Sequence, residues 1–259
     1  SVRQLILHVT KRCNFRCAHC FVDFGSIPGD LSLAQARGIA ETLRGLLWLD
    51  IGGGEPFLRE DIVELVSLFD FEEVSIPTNG WFTERTVDAA RRLAERFGPK
   101  VTLAVSVDGP RETHDEIRRK PGSFDRLIET FSRLRAVGGL RVAFLSTLCD
   151  RNASELPGLI GSLASLGPDY HAVNILRGNP IDPGYRLDIG RARRFLGFLE
   201  GHYWKSGYGR RRGIASVPLN YIRLRWDAAL RTLEESRQVV PCLGGTATVV
   251  VHPDGGVGP

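Results

Sequence analysis

The 259-residue sequence contains no methionine, not even at position 1. Either it begins inside a chain that truly lacks Met, or positions carrying a modified methionine are missing from it. The second is expected, in which case some spacings are short by a residue. Also absent is any apolar run near the ~18 residues that a membrane-crossing helix requires, and the N-terminus has no signal-peptide pattern. A cytoplasmic protein with no membrane partner is therefore expected. Charge of one sign is not in large excess: 34 Lys and Arg stand against 30 Asp and Glu, a formal net charge of +4. So small a surplus is weak evidence for an anionic partner and argues against a nucleic-acid binder. Only five cysteines occur in this long chain, a pattern unlike the disulfide frameworks of short secreted domains. The remaining composition, 42% hydrophobic and 25% charged, is that of an ordinary globular protein with one large domain, or one domain and a small appendage.

Three of the cysteines fall in one stretch, Cys13-Asn14-Phe15-Arg16-Cys17-Ala18-His19-Cys20, just after the apolar run Leu5 to Val9. A strand that delivers the chain into a Cys-x-x-x-Cys-x-x-Cys loop can wrap it around one iron–sulfur cluster, because close spacing lets three thiolates converge on three irons. A fourth cysteine is what this loop lacks. An electron-transfer ferredoxin would use one to close its cluster, so three ligands leave an iron open to bind something else. Zinc needs four ligands. Cys13, Cys17 and Cys20 with His19 supply that number formally, but adjacent His19 and Cys20 would point in divergent directions.

Along the chain, short apolar runs rich in β-branched residues alternate with helical patterns. The expected strands are Leu5 to Val9, Leu46 to Ile51, Glu73 to Pro77, Val101 to Val107, Arg141 to Leu148 and His171 to Leu176. Helices are expected over Leu31 to Leu43, Arg59 to Phe69, Thr83 to Phe97, Ser123 to Val137 and Ser154 to Leu166, with Ser32, Thr83 and Ser154 as caps. Such alternation predicts an α/β fold with a parallel sheet and right-handed crossovers, its strands buried on both faces. Six units make a partial (β/α)6 barrel of TIM type, open laterally to a large substrate, with its chemistry at the C-terminal strand ends. Two more helices are expected over Leu187 to Ser206 and Tyr221 to Ser236, then a short β segment, Thr246 to Val251. The domain division expected is a barrel over 1–186 and a small α+β extension over 187–259.

The polar residues at the strand ends now carry a resemblance. The cysteine triplet resembles the cluster loop of the radical S-adenosylmethionine (SAM) enzymes, and His19 fills the place where that family commonly has an aromatic residue. The resemblance implies a 4Fe-4S cluster on Cys13, Cys17 and Cys20, whose open iron takes the amino and carboxylate groups of SAM. After the second strand comes Gly52-Gly53-Gly54-Glu55-Pro56, which resembles the family motif that holds the SAM amino group; Gly53, Gly54, Glu55 and Pro56 are the matching positions. Glycines permit close backbone approach to a ligand, and the Glu55 carboxylate can accept from an ammonium. A tight strand-to-helix turn would also explain the glycines, but their place one βα unit after the triplet makes the motif specific. Thr78-Asn79-Gly80 reads as a turn facing the site. At the fourth strand end, Ser106 and Asp108 resemble residues that reach the ribose or methionyl part of SAM, and Arg118 resembles an arginine that meets the SAM carboxylate. Asn174 and Arg177 at the sixth strand end are candidates to line the lumen, Arg177 facing a carboxylate. Cys149 reads as a small buried hydrophobe.

In the tail, Cys242 followed after twelve residues by Gly255 resembles the opening of the SPASM or twitch extension, which holds an auxiliary iron–sulfur cluster. That pattern continues with a Cys after four further residues, and Pro259 stands one residue short of it. An auxiliary 4Fe-4S cluster is therefore expected only if the chain continues, which is the expectation.

The resemblance implies an oxidoreductase in which reductive cleavage of SAM gives a 5′-deoxyadenosyl radical that abstracts hydrogen from a peptide or small molecule, leading to oxidation, cross-linking or epimerisation. It implies a flavodoxin- or ferredoxin-type electron donor as well. The sequence opens directly on the first strand, with no room for a leader-peptide-binding domain, a lean away from peptides. Arg210, Arg211 and Arg212 near Tyr203, Trp204 and Tyr208 prompt an RNA-modifying alternative, set against the modest charge. A metal-binding or electron-carrier protein is the other alternative, and it leaves the glycine–glutamate motif without a role.

Overall fold

The structure, a computed structural model, describes residues 2–22, 29–205 and 217–258, without the side chains of residues 203–205 and 217–222. The aromatic and arginine cluster behind the RNA reading therefore lies outside the described side chains. The elements run β1 (Gln4–Thr10), α1 (Leu33–Thr42), β2 (Leu46–Gly53), α2 (Ile62–Val66), β3 (Phe71–Thr78), α3 (Thr83–Phe97), β4 (Val101–Ser106), α4 (Arg111–Arg118), α5 (Ser123–Val137), β5 (Arg141–Leu148), α6 (Leu156–Leu163) and β6 (His171–Ile175). They end with α7 (Ile189–Lys205), α8 (Val217–Glu234), β7 (Thr248–Val251) and β8 (Val257–Gly258).

One sheet holds all the strands, in the order β6-β5-β4-β3-β2-β1-β7-β8. The first six pair in parallel, each with its successor. The C-terminal β segment joins this same sheet: β7 lies parallel to β1, with Leu7 beside Val251, and β8 returns antiparallel along β7. Neither flank could be assigned from sequence, because an apolar strand does not name its partner.

Burial along the strands alternates, contrary to the expectation of two buried faces. Leu5, Leu7 and Val9 are fully buried, whereas Gln4, Ile6 and His8, on the opposite face of the strand, are half-buried. A sheet curled into a partial barrel covers its outer face with helices and leaves its inner face for ligand. Only the central β4 is buried throughout among the described strands.

Local starts and stops corrected several expected bounds. Ser32 does cap α1, in a capping box with Gln35. Thr83 is instead the first helical residue of α3, its hydroxyl bonded to that of Thr130 at 2.7 Å, and Phe82 takes the cap position. Nor is Ser154 a cap: α6 starts at Leu156, with Pro157 in the first turn, where a missing N–H is harmless. The second helix spans only Ile62–Val66, because Arg59 is buried and donates to the carbonyls of Val9 and Leu31 at 3.0 and 2.7 Å. That bond set ties the end of β1 to the entrance of α1. No described helix is long and apolar enough to cross a membrane.

Candidate active site

The cysteine loop leaves β1 at Thr10 and is held to the end of β2 by backbone bonds. Gly54 N–H donates to the Thr10 carbonyl at 2.7 Å, and Glu55 N–H donates to that of Arg12 at 2.9 Å. Those contacts explain the glycines. A Cβ on Gly53, whose φ is +112°, would lie 2.2 Å from the Thr10 carbonyl oxygen; one on Gly54 would lie 2.0 Å from that of Arg12. The close approach expected toward a ligand is thus made first toward the chain's own cysteine loop. The loop's far side is pinned to α4, where Ala18 N–H donates to the Ile117 carbonyl at 2.8 Å. It is also tied to the segment after β6 by Ile181 N–H to the Cys20 carbonyl at 2.8 Å.

These ties place the three thiols on one cavity of about 270 Å³ at the C-terminal ends of the strands. Cys13, Cys17 and Cys20 share it with Gly53, Gly54 and Glu55 from β2. Ser106 from β4, Arg118 from α4, and Asn174 and Arg177 from β6 and its following loop complete the wall. Asn79 also faces it, as the turn at Thr78-Asn79-Gly80 led us to expect. Three of the named residues are elsewhere. Pro56 is buried in a short 3-10 turn behind the wall. Asp108 is fully buried and is not among the residues that line the cavity. Cys242 is exposed on the loop that enters β7, beside the Gln4 end of β1 and hence roughly 20 Å along that strand from the triplet. Cys149, buried among Ile117 and Leu176, packs as the expected hydrophobe and offers Cys242 no partner thiol.

Buried charge shapes the site. The Glu55 carboxylate accepts from Asn79 N–H at 2.7 Å, Thr78 O–H at 3.0 Å and Phe57 N–H at 3.2 Å. A carboxylate has about four acceptor sites, so one remains. Burial pushes the Glu55 carboxyl up to about 7, opposed by those three bonds and by Arg118. For Asp108 burial also pushes upward, but the Arg118 guanidinium, ion-paired at 2.6 Å, together with His19, His114 and the Thr147 N–H, holds the carboxyl below its ordinary value. Arg118, an exposed helical residue by its sequence pattern alone, is 11% exposed and also donates to Cys17 Sγ at 3.8 Å. Burial raises the Cys13 thiol to about 11 and raises Cys17 as well. Thiols so placed stay protonated until a cation takes them as thiolates.

The residues fit an iron–sulfur cluster and an amino-acid ligand. Soft sulfur donors from one loop face one cavity, and among the described residues no three His, Cys, Asp or Glu side chains converge on a single-ion site. His19 Nε2 faces Asp108 at 3.4 Å. On the same wall, Arg118 Nε and His19 Nδ1 are buried without hydrogen-bond partners, positions where a bound polar group completes the bonding.

Residues 7–163 match the Radical SAM superfamily. The chain belongs to that family. Its radical SAM relatives include pre-heme d1 synthase of Dinoroseobacter shibae, 29% identical over 96% of this chain and 67% of that protein. Mycofactocin maturase MftC of Mycobacterium tuberculosis is 32% identical over 59% of this chain and 39% of its own length. The fold matches Streptococcus suis SuiB bound to S-adenosylmethionine with a TM-score of 0.73 at 15% identity, over all of this chain and 60% of that one. The chain thus spans about two thirds of the synthase and under half of the maturase.

Sequence reasoning missed several residues that shape this site. Asn14 accepts from Asn79 Nδ2 at 2.9 Å and couples the cysteine loop to β3. The Phe15 and Trp81 rings meet edge to face at 5.7 Å. Arg225 of α8 reaches Asn174 Oδ1 at 3.3 Å. Each contact follows from tertiary approach, and the sequence signal was the position of Asn14 and Phe15 inside the triplet.

Proposed function

We propose that Cys13, Cys17 and Cys20 hold a 4Fe-4S cluster and that the enzyme acts on a carboxylate-bearing small molecule. The observation that carries this reading is one cavity walled by three thiols, the end of β2 and a buried arginine. Bound there, the cluster and SAM would supply the radical chemistry of hydrogen abstraction from the substrate. The chain's own part is to bind and orient. Glu55, with its remaining acceptor site, would face the N–H groups of the SAM amino group; Arg118 Nε–H would face the SAM carboxylate; Gly53, Gly54, Pro56, Ser106, Asn174 and Arg177 form or support the wall around them. The test is anaerobic reconstitution with iron and sulfide, then chromatography for 5′-deoxyadenosine after adding SAM and dithionite. No product from cluster-loaded protein rejects the assignment.

A pH dependence follows from Glu55. With its carboxyl near 7, the group is mostly protonated at pH 6 and mostly ionised at pH 8, and the ionised form accepts better from the N–H groups of the SAM amino group. SAM is therefore expected to bind more tightly as pH rises through about 7. At pH 8, Glu55→Gln should raise the SAM Kd about tenfold and flatten the profile, since a charge-assisted bond contributes roughly 1.5–3 kcal/mol. Equilibrium dialysis of SAM across pH 6–8 decides; a profile that Glu55→Gln leaves unaltered puts Glu55 outside the site.

The substrate reading rests on a groove of about 660 Å³ that shares Asn174, Ile175 and Arg177 with the thiol cavity. Its α8 side presents Leu224, Trp226 and Leu233, and its polar part includes two guanidiniums, Arg177 and Arg225, with no acidic side chain among its lining residues. Such a surface suits an apolar body with a carboxylate. The match to pre-heme d1 synthase, covering 96% of this chain, supports a small molecule over a peptide. Octanoate and octanamide serve as probes in titration calorimetry on the cluster-loaded protein. Octanoate is expected to bind about tenfold more tightly, a preference that Arg225→Glu reverses; equal binding of both probes removes the carboxylate reading.

A further inference from the structure

We propose that Asp108 is a positioning residue that holds the Arg118 guanidinium against Cys17 Sγ and thereby sets the reduction potential of a cluster on that sulfur. The proposal rests on the reading of Cys17 as a cluster ligand. Asp108 does not border the cavity, yet it is a fully buried carboxylate, and burying one without function is unfavourable. Its contacts link β5, α4 and the cysteine loop. Oδ1 accepts from Thr147 N–H of β5 at 2.8 Å. Oδ2 faces Arg118 of α4 at 2.6 Å and His19 of the cysteine loop at 3.4 Å. The Asp108 carbonyl accepts from Asn152 Nδ2 at 2.8 Å, and its N–H donates to His114 Nδ1 at 3.1 Å.

With Oδ1 fixed by the backbone of β5, the direction of Oδ2 is fixed as well. A guanidinium is a rigid planar fork, so holding its NH2 nitrogen on Oδ2 aims NH1 at Cys17 Sγ, 3.8 Å away. The backbone bond from Ala18 to Ile117 keeps the loop against the last turn of α4, so the sulfur cannot retreat. Without the carboxylate, nothing else in the described contacts anchors the guanidinium to Cys17, and the open cavity lies on its other side. A cation donating to a ligating sulfur favours the more negative, reduced state, and such hydrogen bonds are a recognised control of cluster potential.

The sign of one measurement separates positioning from plain electrostatics. If Asp108 acted only as a nearby negative charge, removing it would make reduction easier and raise the midpoint potential. If it positions Arg118, Asp108→Asn releases the guanidinium and lowers the potential, in the same direction as Arg118→Gln. The experiment is an anaerobic dithionite titration of the cluster-loaded full chain, without SAM, followed by electron paramagnetic resonance. A lowered potential for Asp108→Asn is expected, and a raised or unchanged one overturns the proposal. Asp108→Glu keeps the charge and displaces it, so it too should lower the potential; should Asp108→Asn fail to fold by circular dichroism, this variant decides alone. A variant that folds without loading a cluster is read in the apo-protein by the rate of Cys17 alkylation with iodoacetamide. That rate is expected to fall severalfold when the guanidinium withdraws, and an unchanged rate overturns the proposal. Wild-type protein that loads no cluster refutes the cluster reading itself, a result distinct from any of these.

Discussion

Alanine at Cys13, Cys17 or Cys20 is expected to reduce 5′-deoxyadenosine formation to background. Each thiol reaches the same cavity from one loop, and that loop is fixed at both ends by backbone bonds, Thr10 and Arg12 accepting from Gly54 and Glu55 and Ala18 donating to Ile117. It therefore cannot slide to offer a substitute ligand. Two thiolates leave two irons of the cluster open, and a cluster so held is lost or converted during reconstitution. Cys149 is buried against Ile117 and Leu176 and does not line the cavity, and Cys242 lies on the loop that enters β7 at the other end of β1, so neither is placed to replace the missing thiol. Among the three, Cys17→Ala should also cost stability, because it strips the buried Arg118 of its sulfur contact while Asp108 remains. Iron content, the visible spectrum and product chromatography on each variant, with circular dichroism as the folding control, make the check. Full activity from any one of the three would remove the cluster assignment.

Much of the barrel was legible because its signal is periodic. Apolar strands such as Leu46 to Ile51 and long amphipathic helices such as Thr83 to Phe97 and Ser123 to Val137 bury one continuous face, and their positions survive in the structure. The helix α4 was not legible. Its sequence, Arg111 to Arg118, is almost wholly polar, and only Thr113, His114 and Ile117 are buried, so no apolar stripe announces it. Yet α4 delivers Arg118 to the cavity. The pairing of β7 with β1 escaped as well, since strand order depends on packing between distant segments.

Within the site, residue type was easier to read than residue contact. The triplet and the Gly53-Gly54-Glu55 run stood out by spacing, and the structure brings them to one cavity. What the sequence concealed is how far these groups serve one another before any ligand arrives. Asp108, matched to SAM by resemblance, faces Arg118, His19 and Thr147 within the protein. Glu55 keeps one acceptor site for a ligand while three donors from Phe57, Thr78 and Asn79 hold it in place. A buried carboxylate needs such partners; the run Thr78-Asn79-Gly80 was legible as a turn facing the site, but not that its hydroxyl and amide bind Glu55.

Gly54→Ala is expected to be among the most damaging small substitutions in the chain. The new methyl would lie 2.0 Å from the carbonyl oxygen of Arg12 and 2.6 Å from its carbon, inside any permitted contact. Since the neighbour is backbone, no side-chain rotation relieves the clash, and either the end of β2 or the cysteine loop must move. Moving them stretches the 2.7 Å bond from Gly54 to Thr10 and the 2.9 Å bond from Glu55 to Arg12. Overpacking of this kind costs about 3 kcal/mol, which for a domain of this size lowers Tm by roughly 6–12 °C. The displaced loop also takes Cys13 from its place, so cluster loading should fall further than stability alone requires. Gly38→Ala is the control: this exposed position in α1 has nothing within 4 Å of where the added methyl would sit, and alanine favours a helix, so its Tm should hold or rise. Thermal unfolding of both variants, with iron content after reconstitution, reads the result. A Gly54→Ala protein that melts with the wild type and loads a full cluster would show that the loop does not press on β2, and the explanation of the glycines by close approach to the cysteine loop would fall.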